Sequence, residues 1–171
     1  MVRFYAAPPE MTIDTTASYE AVIHLDGGDV RIKLFADEAP EYVNNFVFLA
    51  QNHFYDGLTF HRVIPGFVAQ GGDPSGGGAG SPGYALTEEL NSLKFLPGAL
   101  SMAKDSAGRV NGSQFFVTLG LTPHLDGGFT VFGEVTEGLD ILEGLTPRDP
   151  DEAPEAEGDT IIGIEIIEGG A

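Results

Sequence analysis

The chain has 171 residues, which suits one compact domain and leaves little room for two. It has no Cys, which excludes a disulfide framework, a thiolate nucleophile and a zinc–thiolate site. Its 26 Asp and Glu outnumber its 8 Lys and Arg, and a formal charge of −18 argues against nucleic acid as a partner.

The acidity reads first as solubility and second as adaptation to high salt, where screening blunts self-repulsion. A hydrophobic fraction of 42% is enough to bury a core. No apolar run is long enough to span a bilayer, so no membrane association is expected. The first five residues lack the apolar stretch of a signal peptide. The expected location is the cytoplasm, although an exported chain trimmed of its signal would read the same.

Residues 1–17 are Pro-rich without a clear period and read as an N-terminal arm, with a single domain over 18–171. A β-rich run spans 19–25. Asp26-Gly27-Gly28-Asp29 follows as a hairpin turn, and 30–35 alternate as a half-buried strand. Pro40 opens a helix over 40–52, with Val43, Phe46, Val47 and Ala50 at helical spacing. Further strands are predicted over 58–63, 67–70, 99–103, 115–119 and 130–135, with a Gly-rich loop over 71–83. A short second helix is predicted over 139–145. Residues 146–159 read as a solvated acidic loop, and 160–168 as a closing strand that pairs with the first hairpin.

Several local patterns lead nowhere. Gly78 to Gly83 fits G-x-G-x-x-G, but no helix pattern follows and Pro82 interrupts it. The four His show no metal-ligand spacing, so neither a metal nor another cofactor is expected. No Ser sits in a G-x-S-x-G elbow.

Three ordered motifs are more specific. Phe60-His61-Arg62-Val63-Ile64-Pro65-Gly66-Phe67-Val68-Ala69-Gln70-Gly71-Gly72-Asp73 is the first. The second is Pro97-Gly98-Ala99-Leu100-Ser101-Met102-Ala103, with Asn111-Gly112-Ser113-Gln114-Phe115-Phe116. His124-Leu125-Asp126-Gly127 with Val131-Phe132-Gly133 is the third. Over roughly 19–168 the chain resembles the cyclophilin-type peptidyl-prolyl cis/trans isomerases. The resemblance implies a mainly β fold: a closed eight-stranded antiparallel β-barrel capped by two α-helices, with the site on its outer face.

By the same resemblance, Arg62 is the catalytic donor to the proline nitrogen. Gln70 holds Arg62 and the substrate carbonyl. Phe67, Val68, Phe116 and Leu125 form the proline pocket. Backbone groups around Ala103 and Lys104 pair with the substrate chain, and Gln114 and Gly78 line the next groove. The expected partners are proline-containing peptides and unfolded polypeptides, bound by a monomer.

Three positions depart from the best-known family pattern. His124 stands where many cyclophilins carry Trp, which implies weakened affinity for cyclosporin-like cyclic peptides. Phe129 stands where His is frequent and makes that wall more apolar. Lys104 replaces a frequent Asn. Two rival readings are a non-catalytic proline-binding module and a chaperone-like scaffold. Arg62 argues against the first, since a pure binder has no need of a donor at a twisted nitrogen.

Overall fold

The computed structural model describes residues 3–154 and 156–170. Eleven strands occur in chain order: β1 (Tyr19–Leu25), β2 (Gly28–Leu34), β3 (Thr59–Phe60), β4 (Arg62–Ile64), β5 (Val68–Gly71), β6 (Ala85–Leu86), β7 (Ala99–Lys104), β8 (Val110–Thr118), β9 (Val131–Glu137), β10 (Asp159–Thr160) and β11 (Gly163–Glu168). The large sheet runs β11-β1-β2-β9-β7-β8-β5-β4, and β6 also pairs with β8. β3 and β10 form a separate two-stranded ribbon. All these ladders are antiparallel.

The expectation of a closed eight-stranded barrel capped by two helices is overturned. No ladder joins β4 to β11, so the sheet is a curled, open half-barrel. The predicted strand over 58–63 breaks at His61: β3 goes to β10, and β4 goes to β5. The predicted strand over 160–168 breaks at Ile161 and Ile162. Ile161 exchanges backbone bonds with Gly57 and Leu58, and the Ile162 N–H donates to His24 O. At the gap Val63 meets Arg148 in a single bridge, and Arg148 Nη1 also donates to His61 O. The two-residue β3·β10 ribbon and this single bridge thus stand where the expected barrel would need a continuous ladder.

Among the described residues there is one substantial helix, α1 (Pro40–Gln51). The second predicted helix is a turn of five residues, α2 (Leu139–Glu143), ended at Gly144, and only Leu142 in it is buried. A 3-10 turn spans Pro123–Leu125.

Pro40 starts α1 because its missing N–H is one that a first turn leaves unpaired anyway. The Glu89 carboxylate accepts from the N–H groups of Glu41 and Tyr42 and so caps the helix from a distant loop. Tyr42, Val43, Phe46, Val47, Leu49 and Ala50 bury the inner face. Buried Asn44 ties down the N-terminal segment. Its Oδ1 accepts from Thr12 and Ile13 N–H, and its Nδ2 donates to Glu10 O. Tyr5 packs its ring edge-on to Phe48 at 5.3 Å.

Strand alternation divides the apolar residues between two cores. The large core lies inside the curl and holds Phe46, Phe60, Phe115 and Phe132. A smaller cluster on the outer face holds Val68, Phe95, Ala99, Ala103, Phe116 and Val131. This second cluster forms the floor of the candidate site.

Candidate active site

Four adjacent strands carry most of the residues singled out from sequence. Arg62 on β4 pairs with Gln70 on β5, and Gln70 pairs with Phe116 on β8. Phe116 in turn pairs with Ser101 on β7. The turn around residues 65–67 returns β4 to β5 and sets Phe67 beside Arg62. The 3-10 turn brings His124 and Leu125 over the same face.

These residues enclose a pocket of ≈ 170 Å³. Phe67, Val68, Phe116, Leu125 and Phe129 make it apolar; Arg62, Gln70 and Lys104 stand at its polar rim, with Ala103 beside them. Val68 and Phe116 are buried, while Phe67, Leu125 and Phe129 are half-buried. Phe116 is held by Phe95, stacked at 6.1 Å, and by Phe129, edge-on at 5.5 Å. His124 is exposed and stacks on Phe67 at 5.6 Å, outside the pocket lining.

The Arg62 guanidinium lies 5.8 Å from the centre of the Phe67 ring. Among the described residues it makes no side-chain hydrogen bond and no ion pair, although the chain has 26 carboxylates. Gln70 does not hold Arg62 here, as the family resemblance had implied. Its Nε2 donates instead to Gln114 Oε1 at 3.0 Å. Lys104 is committed elsewhere. Its Nζ donates to Gly128 O at 2.6 Å, pairs with Glu88 and sits 5.1 Å over the Phe129 ring. β7 pairs with β8 at Met102 and Lys104 but skips Ala103, through a bulge.

A second groove of ≈ 500 Å³ opens beside the pocket and shares Arg62, Gln70 and Lys104 with it. Gln114 and Gly78 line it, as expected, together with Arg109 and Asp151. Gly78 has φ +98°, a left-handed conformation that suits Gly. Gln114 is buried, and its Nε2 donates to Gly78 O at 3.0 Å and Gly80 O at 2.7 Å.

Sequence reasoning missed two buried groups behind this groove. Asp73 is 1% exposed and gathers four donors from the Gly-rich loop. Burial pulls its carboxyl upward, but the bonds from Ser75, Gly80 and Gly78 outweigh that and hold it below its ordinary value. His61 is the second group. It is buried, and neither ring nitrogen meets full hydrogen-bond geometry among the described residues, although Gln114 lies near enough to favour the charged ring. Burial lowers its pKa, which favours the neutral imidazole. The Gly-Gly-Asp run after Gln70 was the available signal for Asp73.

Residues 21–166 match the family model described as cyclophilin type peptidyl-prolyl cis-trans isomerase. The chain belongs to the cyclophilin-type peptidyl-prolyl isomerase family. A peptidyl-prolyl cis-trans isomerase of Synechococcus elongatus is 44% identical over 151 residues, covering 86% of this chain and 96% of the relative. Peptidyl-prolyl cis-trans isomerase B of Bacillus subtilis is 50% identical over 127 residues, covering 72% and 87%. A crystal structure of a Cryptosporidium parvum cyclophilin type isomerase superposes with a TM-score of 0.77 at 35% identity, covering 88% of this chain and 98% of that one. A second structure of that protein, in the presence of the dipeptide Ala-Pro, gives 0.76 at 34% identity, covering 86% and 98%.

This cyclophilin is therefore an enzyme that isomerises X–Pro bonds, and proline-containing peptides are its partners. No helix among the described residues is long and apolar enough to cross a membrane.

Proposed function

We propose that Arg62 performs the isomerisation electrostatically, without covalent or metal chemistry, on an X–Pro bond whose ring sits against Phe67, Val68, Phe116 and Leu125. The observation that carries this reading is the guanidinium left, among the described residues, without a hydrogen bond or ion pair at the rim of an apolar pocket. A half-buried charged donor so placed keeps its N–H groups available, and substrate can take them.

The chemistry follows from the amide. Rotation about it costs ~18–20 kcal/mol because twisting destroys resonance. The twisted state localises a lone pair on the proline nitrogen. A fixed cationic donor aimed there stabilises that state more than either planar one. Arg suits the role because it stays charged and presents several directed N–H groups. Each 1.36 kcal/mol so gained is about tenfold in rate.

The other residues take supporting roles. Gln70 has its Nε2 committed to Gln114, so its Oε1 is free to accept from Arg62 or a substrate N–H. The bulge at Ala103 leaves that residue without a ladder partner on β8, so its backbone groups, with those of Lys104, can pair with the peptide. Gln114 and Gly78 border the groove that takes the chain before the proline. The Ala-Pro dipeptide named for the Cryptosporidium parvum structure is the size of ligand that such a pocket would take. The expected working unit is a monomer. Cyclosporin-like cyclic peptides bind weakly, because His124 replaces the larger indole. The expected compartment is the cytoplasm.

The test is a coupled peptide assay with Arg62→Ala and Arg62→Lys. Arg62→Ala is expected to lose about 10²–10³-fold in kcat/KM, the scale for removing a preorganised donor, while keeping its circular dichroism. Arg62→Lys keeps the charge and loses the fork, and should recover little. Wild-type turnover in Arg62→Ala would overturn the assigned role. If NMR exchange showed that Arg62→Ala still binds the peptide but no longer exchanges it, that would separate catalysis from binding.

A further inference from the structure

We propose that Asp73 is a positioning residue for the isomerisation, acting on Gln70 through the Gly-rich loop and Gln114. This rests on the roles proposed above for Arg62 and Gln70.

The argument starts from the orientation of two amides. A glutamine side chain carries one acceptor oxygen and one NH₂, and either end can face a given neighbour. Both hydrogens of Gln114 Nε2 are taken, one by Gly78 O and one by Gly80 O. Its Oε1 must then face the other way, where it accepts from Gln70 Nε2. That contact turns the Gln70 oxygen away from Gln114. The two loop carbonyls therefore decide which end of Gln70 is left for Arg62 or substrate.

The carbonyls are placed by Asp73. Its Oδ1 accepts from Ser75 N–H at 2.7 Å and from Ser75 Oγ at 2.8 Å. Its Oδ2 accepts from Gly78 N–H and from Gly80 N–H, the latter at 3.2 Å. Gly78 and Gly80 thus offer N–H groups to Asp73 and carbonyls to Gln114. The fit is close: a Cβ at Gly80 would lie 2.0 Å from Asp73 Oδ1. Asn111 Nδ2 reinforces the same Gly80 carbonyl at 2.9 Å, but it does not touch Gly78. Asn at position 73 would turn an NH₂ toward donors and break the arrangement at constant size.

Asp73 is buried and makes no contact with the pocket, so its effect must travel through Gln114. That makes the claim separable from general stability. The experiment measures kcat and KM on an X–Pro peptide for the wild-type chain, Asp73→Asn, Gln114→Ala and the double variant, at a temperature where all are folded. Asp73→Asn is expected to lose roughly tenfold, mainly in kcat, as small misplacements near a reacting group do. In the Gln114→Ala background the same substitution should change turnover less than about twofold, because the route is already cut. Equal losses in both backgrounds, or full activity in Asp73→Asn, would overturn the inference.

If Asp73→Asn does not fold, Ser75→Ala is used in the same two backgrounds. It removes only the hydroxyl bond, and a smaller loss that vanishes without Gln114 is then expected. An equal loss in both backgrounds again overturns the inference. Gln70→Ala is run alongside. Wild-type turnover in Gln70→Ala overturns the underlying site assignment, whereas additive losses overturn only the role of Asp73.

Discussion

Phe115 and Phe116 are neighbours in the chain and belong to different cores. Phe115 is fully buried inside the curl against Phe46, Tyr55 and Phe60. Phe116 points to the outer face, where it packs on Phe95 and Phe129 and lines the candidate pocket. One step along β8 thus crosses the sheet from stability to function.

That crossing predicts opposite phenotypes. Phe115→Ala should cost about 3–5 kcal/mol, the range for deleting a buried aromatic. The loss would appear as an earlier urea midpoint with the slope unchanged. Phe116→Ala should mainly raise KM for an X–Pro peptide, by about tenfold or more, since burying a Phe side chain is worth about 1.5–3 kcal/mol. Reversed phenotypes would contradict the two-core description.

Glu89 should behave as a remote cap of α1. Both its oxygens accept from first-turn N–H groups, at 2.8 and 3.1 Å. Glu89→Ala is expected to cost about 0.5–2 kcal/mol, as loss of a capping side chain does. Thermal unfolding of the two chains side by side checks this. Glu89→Gln keeps one acceptor and should fall between them.

Two groups set opposite pH dependences. His24 bonds through Nδ1 to Asp29 at 2.7 Å and through Nε2 to Glu165 at 3.2 Å, and the Asp29 bond leads in raising its pKa. Its stabilisation is fully present below the unfolded value of 6.5 and is lost as pH rises through the raised folded value. Asp73 is held low when folded. Its contribution is present above the unfolded value of 3.8 and is lost as pH falls through the lowered one. Melting temperature against pH should therefore sag on the alkaline side of 6.5 in wild type, and this limb should flatten in His24→Gln. The acid limb should flatten in Asp73→Asn.

His124 should limit cyclic-peptide binding. Its imidazole stacks on Phe67 at the edge of the pocket, where an indole would offer more surface and an N–H donor. His124→Trp is expected to tighten cyclosporin by about tenfold, or ~1.4 kcal/mol, with kcat/KM on a short peptide nearly unchanged. Calorimetric titration of both chains decides it.

The local elements were legible because their signals are local. Tyr19–Leu25 is β-rich and precedes a Gly-Gly turn, and Pro40 opens a 3.6-residue apolar period, so β1 and α1 lie where expected. The breaks at His61 and at Ile161-Ile162 were not legible. They depend on which distant backbone claims a bond, and β-rich composition is the same on either side of such a break. The seven-residue signal for a second helix was equally ambiguous and yields one turn ended at Gly144, in which Leu142 alone is fully buried.

The sequence by itself determined which residues to propose for the site. The motifs around Arg62, Gln70, Phe116 and Leu125 suggest its walls through the family resemblance, since residue type alone would also suit a plain core. Only the tertiary structure decided who holds whom. Gln70 turned out to be held by Gln114, Lys104 by Glu88 and Gly128, and Arg62 by no hydrogen bond or ion pair among the described residues. Hydrogen bonds are set by fractions of an ångström between groups tens of residues apart, such as Gln70 and Gln114. Residue type fixes what each group can donate or accept, and the fold alone fixes which partner comes within reach.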